Sequence, residues 1–113
     1  IEISAYGENW IEAKMPVDHR TTQPFGLLHG GVSVALAETL GSLAGFLCID
    51  EGLVALGLDI NANHLRPVKK GFVTAKATPI ALSQNTHVWQ IDIRDEQDKL
   101  CCVSRLTLSI KHL

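Results

Sequence analysis

Hydrophobic and polar residues alternate over most of the chain, which is the pattern of β-strands with one buried face. The first alternation covers residues 1–5 and the second covers residues 11–16, with a polar turn containing Gly7 between them. These two stretches predict a hairpin. Four more strand-like stretches follow in the second half of the chain, at residues 53–65, 72–82, 86–95 and 100–111. Because proline cannot donate to a β-ladder, Pro79 predicts a sheet edge or a bulge in the second of these.

Residues 32–49 predict one long helix. Its apolar residues lie nearly all the way round, which is typical of a buried helix. The exception is a narrow line of small or polar residues at helical spacing, and we expect something to approach the helix closely there. This line consists of Ala35, Glu38, Ser42 and Gly45. One buried helix and about six strands predict a single α+β domain over residues 1–113, with an antiparallel sheet of five to six strands wrapped around the helix.

Composition excludes several classes of partner. Apolar residues make up 46% of the 113 residues and charged residues 19%, which is typical of a soluble globular protein. A net charge of −2 provides no electrostatic surface for nucleic acid. The longest apolar run, residues 32–49, is interrupted by polar residues, so we expect no membrane-spanning segment. We therefore expect neither nucleic acid nor membrane as a partner.

The cysteines indicate a reduced, cytoplasmic protein. Cys48, Cys101 and Cys102 are odd in number, and adjacent cysteines in a strand point to opposite faces, so no disulfide framework is expected. No Cys-x2-Cys or similar spacing marks a zinc site. We expect no metal and no cofactor.

Glu38 is the residue whose chemistry stands out. It lies in the middle of the predicted helix among apolar residues, so we expect it to be substantially buried. Desolvation would raise the pKa of such a carboxyl group toward neutrality, where it can act as a general base. Considered alone, the helix is equally consistent with a glutamate that has no catalytic role. Such a glutamate would face solvent or form a buried hydrogen bond.

The segment His29-Gly30-Gly31, at the start of the helix, changes this balance. Two glycines let backbone N–H groups come close to a ligand. The partial positive charge of a helix N-terminus suits an oxyanion that develops during acyl transfer. An ordinary glycine-rich turn with a surface histidine is the alternative, and the combination with Glu38 and Gln23 favours a site.

The spacing of Gly30 and Glu38 predicts a dimer. The two residues are about 12 Å apart along a straight helix. A base or nucleophile and an oxyanion donor must both lie about 3 Å from one carbonyl group. Two antiparallel copies satisfy this, with Glu38 of one chain facing Gly30 of the other, so we expect a two-fold dimer with two equivalent sites.

The spacing Gln23-x5-His29-Gly30-Gly31-x6-Glu38, with Ser42 one turn later, resembles the hotdog-fold thioesterases of the PaaI-like kind. Supporting segments are residues 15–18, 23–31, 61–64 and 95–96, and the resemblance spans essentially the whole chain. It implies the hotdog fold and hydrolysis of an acyl-CoA to free acid and CoA. Those relatives carry a further N-terminal segment, and this chain begins with Ile1, so we expect a preceding segment.

The resemblance also implies roles for individual residues. Glu38 would attack the thioester or activate water, and sequence does not separate nucleophile from general base. The Gly30 N–H would polarise the carbonyl, assisted by His29. Gln23 would orient the carbonyl or the lytic water, and Ser42 would support the reacting groups.

Contacts to CoA are expected after the helix. Backbone near Gly57 could pair with the pantetheine amides. Arg66, Lys69 and Lys70 could meet the CoA phosphates, although a solvated loop would carry the same residues. His64 resembles a family position near the ligand, and a hydrogen-bonded strand histidine is the alternative.

The resemblance points to aromatic acyl groups, of the dihydroxynaphthoyl or benzoyl type. It does not choose between a CoA and an acyl-carrier-protein thioester, or between a homodimer and a homotetramer built from two dimers. Two rival functions remain at this stage. A hotdog-fold dehydratase or hydratase would change the acyl chain without cleaving the thioester, and a non-catalytic module would only bind acyl-CoA.

Overall fold

Six strands form one antiparallel sheet against a long helix in the computed structural model, which describes residues 1–112. The elements are β1 (Glu2–Tyr6), β2 (Ile11–Val17), α1 (Gly30–Leu47), β3 (Leu53–His64), β4 (Gly71–Leu82), β5 (Thr86–Arg94) and β6 (Leu100–His112). The strand order is β1-β2-β4-β5-β6-β3. The helix contacts every strand from β2 to β6, so the sheet wraps around it. This is the α+β arrangement of the hotdog fold, as predicted.

The helix begins at Gly30 and ends at Leu47, so the predicted range of 32–49 is displaced by two residues. The reason is the N-cap. The Nδ1 atom of His29 accepts a hydrogen bond from the Gly31 N–H at 2.9 Å, which starts the helix before its first apolar residue. At the other end, the Cys48 N–H donates to the Gly45 carbonyl and closes the last turn.

Pro79 lies in β4, between β2 and β5 in the order of the sheet. Pairing with β2 stops at Ala77, which lies opposite Ile11, so the distal part of β4 has only β5 as a neighbour. The register with β5 shifts between Pro79 and Ala81, which is the predicted bulge.

The helix packs close to the sheet through two glycines. A Cβ atom on Gly41 would lie 2.6 Å from the Leu106 side chain, and one on Gly45 would lie 2.4 Å from Leu108. Gly45 is therefore part of the core and not of the open line on which the sequence placed it with Ala35, Glu38 and Ser42. It faces β6, and that face of the helix is the one the sheet covers.

By length and composition, α1 also meets the test for a helix that could cross a membrane, with 18 residues and a mean hydropathy of 1.4. The expectation that no segment spans a membrane therefore stays a prediction. However, Leu36, Leu40 and Ala44 are buried against the sheet, and the core helix of a soluble protein passes the same test. The helix is thus weak evidence for a membrane partner.

All three cysteines are free, as expected. Cys101 and Cys102 are buried at the start of β6, and Cys48 is half-buried after the helix. Burial raises the pKa of each thiol, so these side chains are protonated at neutral pH.

Candidate active site

The start of α1 presents one free backbone donor. The His29 ring accepts the Gly31 N–H, and the His29 carbonyl accepts the N–H groups of Val32 and Ser33 at 3.0 and 3.2 Å. Among residues 1–112, no partner is found for the Gly30 N–H. Because Nδ1 of His29 is the acceptor, the neutral ring carries its proton on Nε2. Both the Gly30 N–H and His29 Nε2–H are therefore available to a ligand.

The loop before the helix orients Gln23. Its side-chain oxygen Oε1 accepts hydrogen bonds from the backbone N–H groups of Phe25 and Leu27. The loop itself is tied to its surroundings, because the Leu28 N–H donates to the Val68 carbonyl at 2.7 Å. With its oxygen engaged, Gln23 is left with the amide Nε2 as a donor toward a ligand.

Gln23, Gly30, His64 and Arg66 surround one cavity of about 320 Å³, which we call the Gly30 cavity. It lies between residues 23–33, the loop 64–68 and the start of β6. The His64 ring covers Gly30, because a Cβ atom at that position would lie 3.2 Å from Nε2 of His64. Only glycine fits there without displacing the ring. The His29 side chain does not line the cavity and is exposed beside it.

Glu38 is exposed in the single chain, so the expectation of a buried carboxylate is wrong for one copy of the protein. Its apolar neighbours Leu36, Ala37 and Leu40 turn toward the sheet, whereas Glu38 lies on the opposite, open face of the helix. Its Oε2 atom lies 3.7 Å from the position of a Cβ on Gly57. One turn later, Ser42 is half-buried.

Two groups of predicted residues are thus separated within one chain. Gln23, Gly30 and His64 meet at the Gly30 cavity, whereas Glu38 does not line it. Glu38 instead meets Gly57 on β3. One copy of the chain does not bring the carboxylate to the free donor at the helix start.

The strand that carries Gly57 is an outer strand of the sheet. β3 pairs with β6 on one side and has no neighbouring strand on the other within residues 1–112. Leu56 and Leu58, on either side of Gly57, are 48% and 64% exposed. The pairing with β6 shifts between Gly57 and Asp59, which is a bulge. A long, apolar, unpaired edge of this kind is one that proteins normally cover.

The structure divides the predicted basic cluster. Arg66 lies at the Gly30 cavity, whereas Lys69 and Lys70 line a neighbouring hollow of about 350 Å³. That hollow also contains Asp95 and Glu96, so its charge is mixed.

Sequence reasoning missed Ser33, which is buried and lines the Gly30 cavity. Its spacing of three residues from Gly30 was the available signal, because residues at i and i+3 share a helix face. Val68 and Cys102 also line the cavity, and nothing in the local sequence marks either of them. Within the described residues, no group of three or more potential ligand side chains could hold a metal ion.

Comparison with known proteins places these features in context. The family model of the thioesterase superfamily matches residues 25–102. The 1,4-dihydroxy-2-naphthoyl-CoA hydrolase of Escherichia coli is 52% identical over 110 residues, which cover 97% of this chain and 81% of that protein. The proofreading thioesterase EntH of Cronobacter turicensis is 49% identical, covering 97% and 80%. The crystal structure of a thioesterase from Haemophilus influenzae is 75% identical with a TM-score of 0.97, covering 99% of this chain and 78% of that one.

Proposed function

Since the chain belongs to the thioesterase superfamily and is a thioester hydrolase, we propose that it hydrolyses an acyl-CoA with a small aromatic acyl group at the start of α1. The observation that carries this proposal is the Gly30 N–H beside the Gly30 cavity, for which no partner is found among residues 1–112. A backbone donor at a helix N-terminus, next to a cavity of ligand size, is an arrangement that binds a carbonyl oxygen.

We propose that the thioester carbonyl accepts a hydrogen bond from the Gly30 N–H. Negative charge develops on this oxygen in the transition state, and the helix dipole and His29 Nε2–H add to its stabilisation. Gln23 Nε2 donates to the carbonyl or holds the lytic water. Such a donor matters, because loss of one oxyanion contact typically lowers kcat by about 100- to 1000-fold.

The carboxylate comes from a second copy of the chain in this proposal. Glu38 is about 12 Å from Gly30 along the helix, too far to act on a carbonyl held there. Pairing of the β3 edges of two copies around a two-fold axis would cover Leu56 and Leu58 and bring the open helix faces together. Glu38 of one copy then faces Gly30 of the other, with Ser42 beside it. A dimer, or a dimer of two such dimers, is the assembly that we propose.

Either role of Glu38 leads to the same products, the free acid and CoA. As a general base, it takes a proton from water, whose oxygen attacks the carbonyl carbon. As a nucleophile, it forms an anhydride that water then opens. In both cases the C–S bond breaks, the CoA thiolate leaves and is protonated, and the free acid remains.

We propose the following contacts for the rest of the substrate. The pantetheine amides pair with backbone near Gly57, and Arg66 meets a CoA phosphate, with Lys69 and Lys70 in the neighbouring hollow. His64 lies against the acyl group over Gly30. A carrier-protein thioester would present the same pantetheine arm. A cavity of about 320 Å³ is at the small end of ligand pockets and suits a ring rather than a long chain.

The support for an aromatic acyl group is the cavity size together with the E. coli relative, whose name states that it hydrolyses 1,4-dihydroxy-2-naphthoyl-CoA. The free cysteines support a cytoplasmic site of action.

The test is a panel of aryl-CoA, alkyl-CoA and acyl-carrier-protein thioesters, with release of free thiol as the signal. We expect the highest kcat/KM for aryl-CoA, and a loss of at least about 1000-fold in kcat for Glu38→Ala. Glu51→Ala, another exposed glutamate, is the matched control and should retain activity. Near-normal turnover by Glu38→Ala would defeat the mechanism, and loss of water from a 3-hydroxyacyl-CoA without thiol release would indicate a dehydratase.

A further inference from the structure

Ser33 carries a hydroxyl group at the wall of the Gly30 cavity. Its side chain is only 4% exposed, and no hydrogen bond from its hydroxyl to another described residue is found. Because no fully buried side-chain oxygen or nitrogen among residues 1–112 lacks a partner, this hydroxyl keeps contact with the cavity that Ser33 lines. A helical serine commonly donates to the carbonyl four residues earlier. Here that carbonyl belongs to His29 and already accepts two backbone N–H groups. Since Ser33 lines the Gly30 cavity, the space into which its hydroxyl can bond is the cavity itself.

The interior of the cavity is otherwise apolar or already satisfied. Leu28 and Val68 contribute aliphatic surface. Of the two thiols, Cys101 donates to the Lys99 carbonyl at 3.2 Å, and Cys102 lies 3.9 Å from the Ser104 hydroxyl. Ser33 is therefore the polar group in the buried part of the cavity that has spare hydrogen-bonding capacity.

The more exposed polar groups mark the mouth of the cavity. His64 and Arg66 are exposed, Gln23 and Gly30 are half-buried, and Ser33 is buried. Gly30 and Ser33 share a face of α1 and are separated by about 4.5 Å along its axis. An acyl group whose carbonyl oxygen binds the Gly30 N–H would thus place its substituents one helical turn deeper, beside Ser33.

We propose that Ser33 is a specificity-determining residue, whose hydroxyl forms a hydrogen bond with a hydroxyl substituent of the acyl group. The inference rests on the proposed function, because it takes the acyl group to occupy the Gly30 cavity. An unsubstituted ring would leave the Ser33 hydroxyl unpaired in an apolar space, which is the situation that sites use to reject analogues lacking a polar group.

The experiment measures kcat/KM for benzoyl-CoA and for the three ring isomers of monohydroxybenzoyl-CoA. For the wild-type protein, we expect at least one hydroxylated isomer to be preferred over benzoyl-CoA. In Ser33→Ala this preference should fall by about three- to tenfold, because the hydroxylated substrate loses its partner and benzoyl-CoA no longer leaves a buried hydroxyl unpaired. Ser33→Thr keeps the hydroxyl and should keep the preference.

Ser104→Ala is the matched control. Ser104 is equally buried, at 1% exposure, but its hydroxyl lies near Cys102 and does not line the cavity. We expect this variant to leave the ratio between the two substrates unchanged.

Three results would overturn the inference. Equal kcat/KM for benzoyl-CoA and every hydroxylated isomer in the wild-type protein would do so without any variant. An unchanged preference in Ser33→Ala would do so while leaving the proposed thioesterase function intact. If the wild-type protein turned over no aryl-CoA, both the proposed function and this inference would be contradicted.

Discussion

The imidazole of His64 lies directly over Gly30, with Nε2 at 3.2 Å and Cε1 at 3.3 Å from the position that a Cβ atom of residue 30 would take. This contact joins the end of β3 to the start of α1. It allows two roles of Gly30 to be tested separately, the space that it leaves for the His64 ring and the N–H group that it presents.

The first prediction compares Gly30→Ala with Gly30→Pro. Both add a Cβ beneath His64, but only proline removes the N–H. Proline suits the first position of a helix, and the backbone of His29, at φ −69° and ψ 128°, is already in the conformation that precedes proline. We expect circular dichroism to show that both variants are folded. The kcat of Gly30→Pro should be about 100- to 1000-fold below that of Gly30→Ala. Similar kcat values for the two variants would show that the N–H has no catalytic role.

The second prediction concerns sites shared between two copies. Glu38→Ala and Gly30→Pro should each be inactive as homodimers. When the two are refolded together at equal amounts, half of the dimers are mixed, and each mixed dimer has one site with both Glu38 and Gly30 intact. We therefore expect recovery of about a quarter of the wild-type activity. A site built within one chain would show no recovery, because every chain in the mixture is defective.

The third prediction addresses the free edge of β3. Leu58 is 64% exposed in the single chain, at the bulge beside Gly57, so Leu58→Lys should leave the chain folded. In the proposed dimer the lysine would be buried without a partner, which costs several kcal/mol. We expect the dimer Kd to rise by about 100-fold or more, with activity lost in parallel, as measured by analytical ultracentrifugation and thiol release.

The control for the β3 edge is Ile80→Lys. Ile80 is another exposed apolar residue, at 51% exposure, but it lies in the distal part of β4. This variant should remain dimeric and active. If it dissociated while Leu58→Lys stayed dimeric, the interface would lie elsewhere on the sheet.

The fourth prediction concerns the pH dependence of stability. His87 is 4% exposed, and its Nδ1 atom accepts a hydrogen bond from Trp89 Nε1–H at 3.4 Å. Burial lowers the pKa of His87 in the folded state below its ordinary value of 6.5. As the pH falls through 6.5, His87 binds a proton in the unfolded chain but not in the folded chain. The free energy of unfolding therefore decreases.

This decrease can be measured by urea denaturation between pH 8 and pH 5. The dependence should be weaker in His87→Phe, although that variant will be less stable at every pH because Trp89 loses its acceptor. His112→Gln changes an exposed histidine and should leave the slope unchanged. An identical slope in His87→Phe would assign the pH dependence to other groups.

The fold was largely predictable because its signals are local. Alternation over the strands and the all-round apolar helix depend on neighbouring residues, and the structure places each element within two residues of the prediction. The burial of Glu38 was predicted wrongly for a related reason. Apolar flanking residues surround any position of such a helix, and they do not say which face the sheet covers.

The Gly30 cavity was not predictable as a whole. It combines residues near 23, 33, 66 and 102, and their proximity follows from the strand order and from the seating of the loop 64–68 on β6. The spacing of Ser33 from Gly30 places both on one helix face, but it does not show that the serine is buried. The functional roles of Gln23, His29, Gly30, Glu38 and Ser42 stay predictions, for which the experiments above are designed.

The separation of Glu38 from the Gly30 cavity has a consequence for how such a protein can diverge. The cavity is lined by residues of one chain, whereas Glu38 does not line it and lies on the open face of the helix near Gly57. Substitutions at Ser33 or Val68 can reshape the cavity proposed for the acyl group without altering the surface that carries the carboxylate. Gene duplication could therefore yield paralogues with new acyl preferences and an unchanged hydrolytic step.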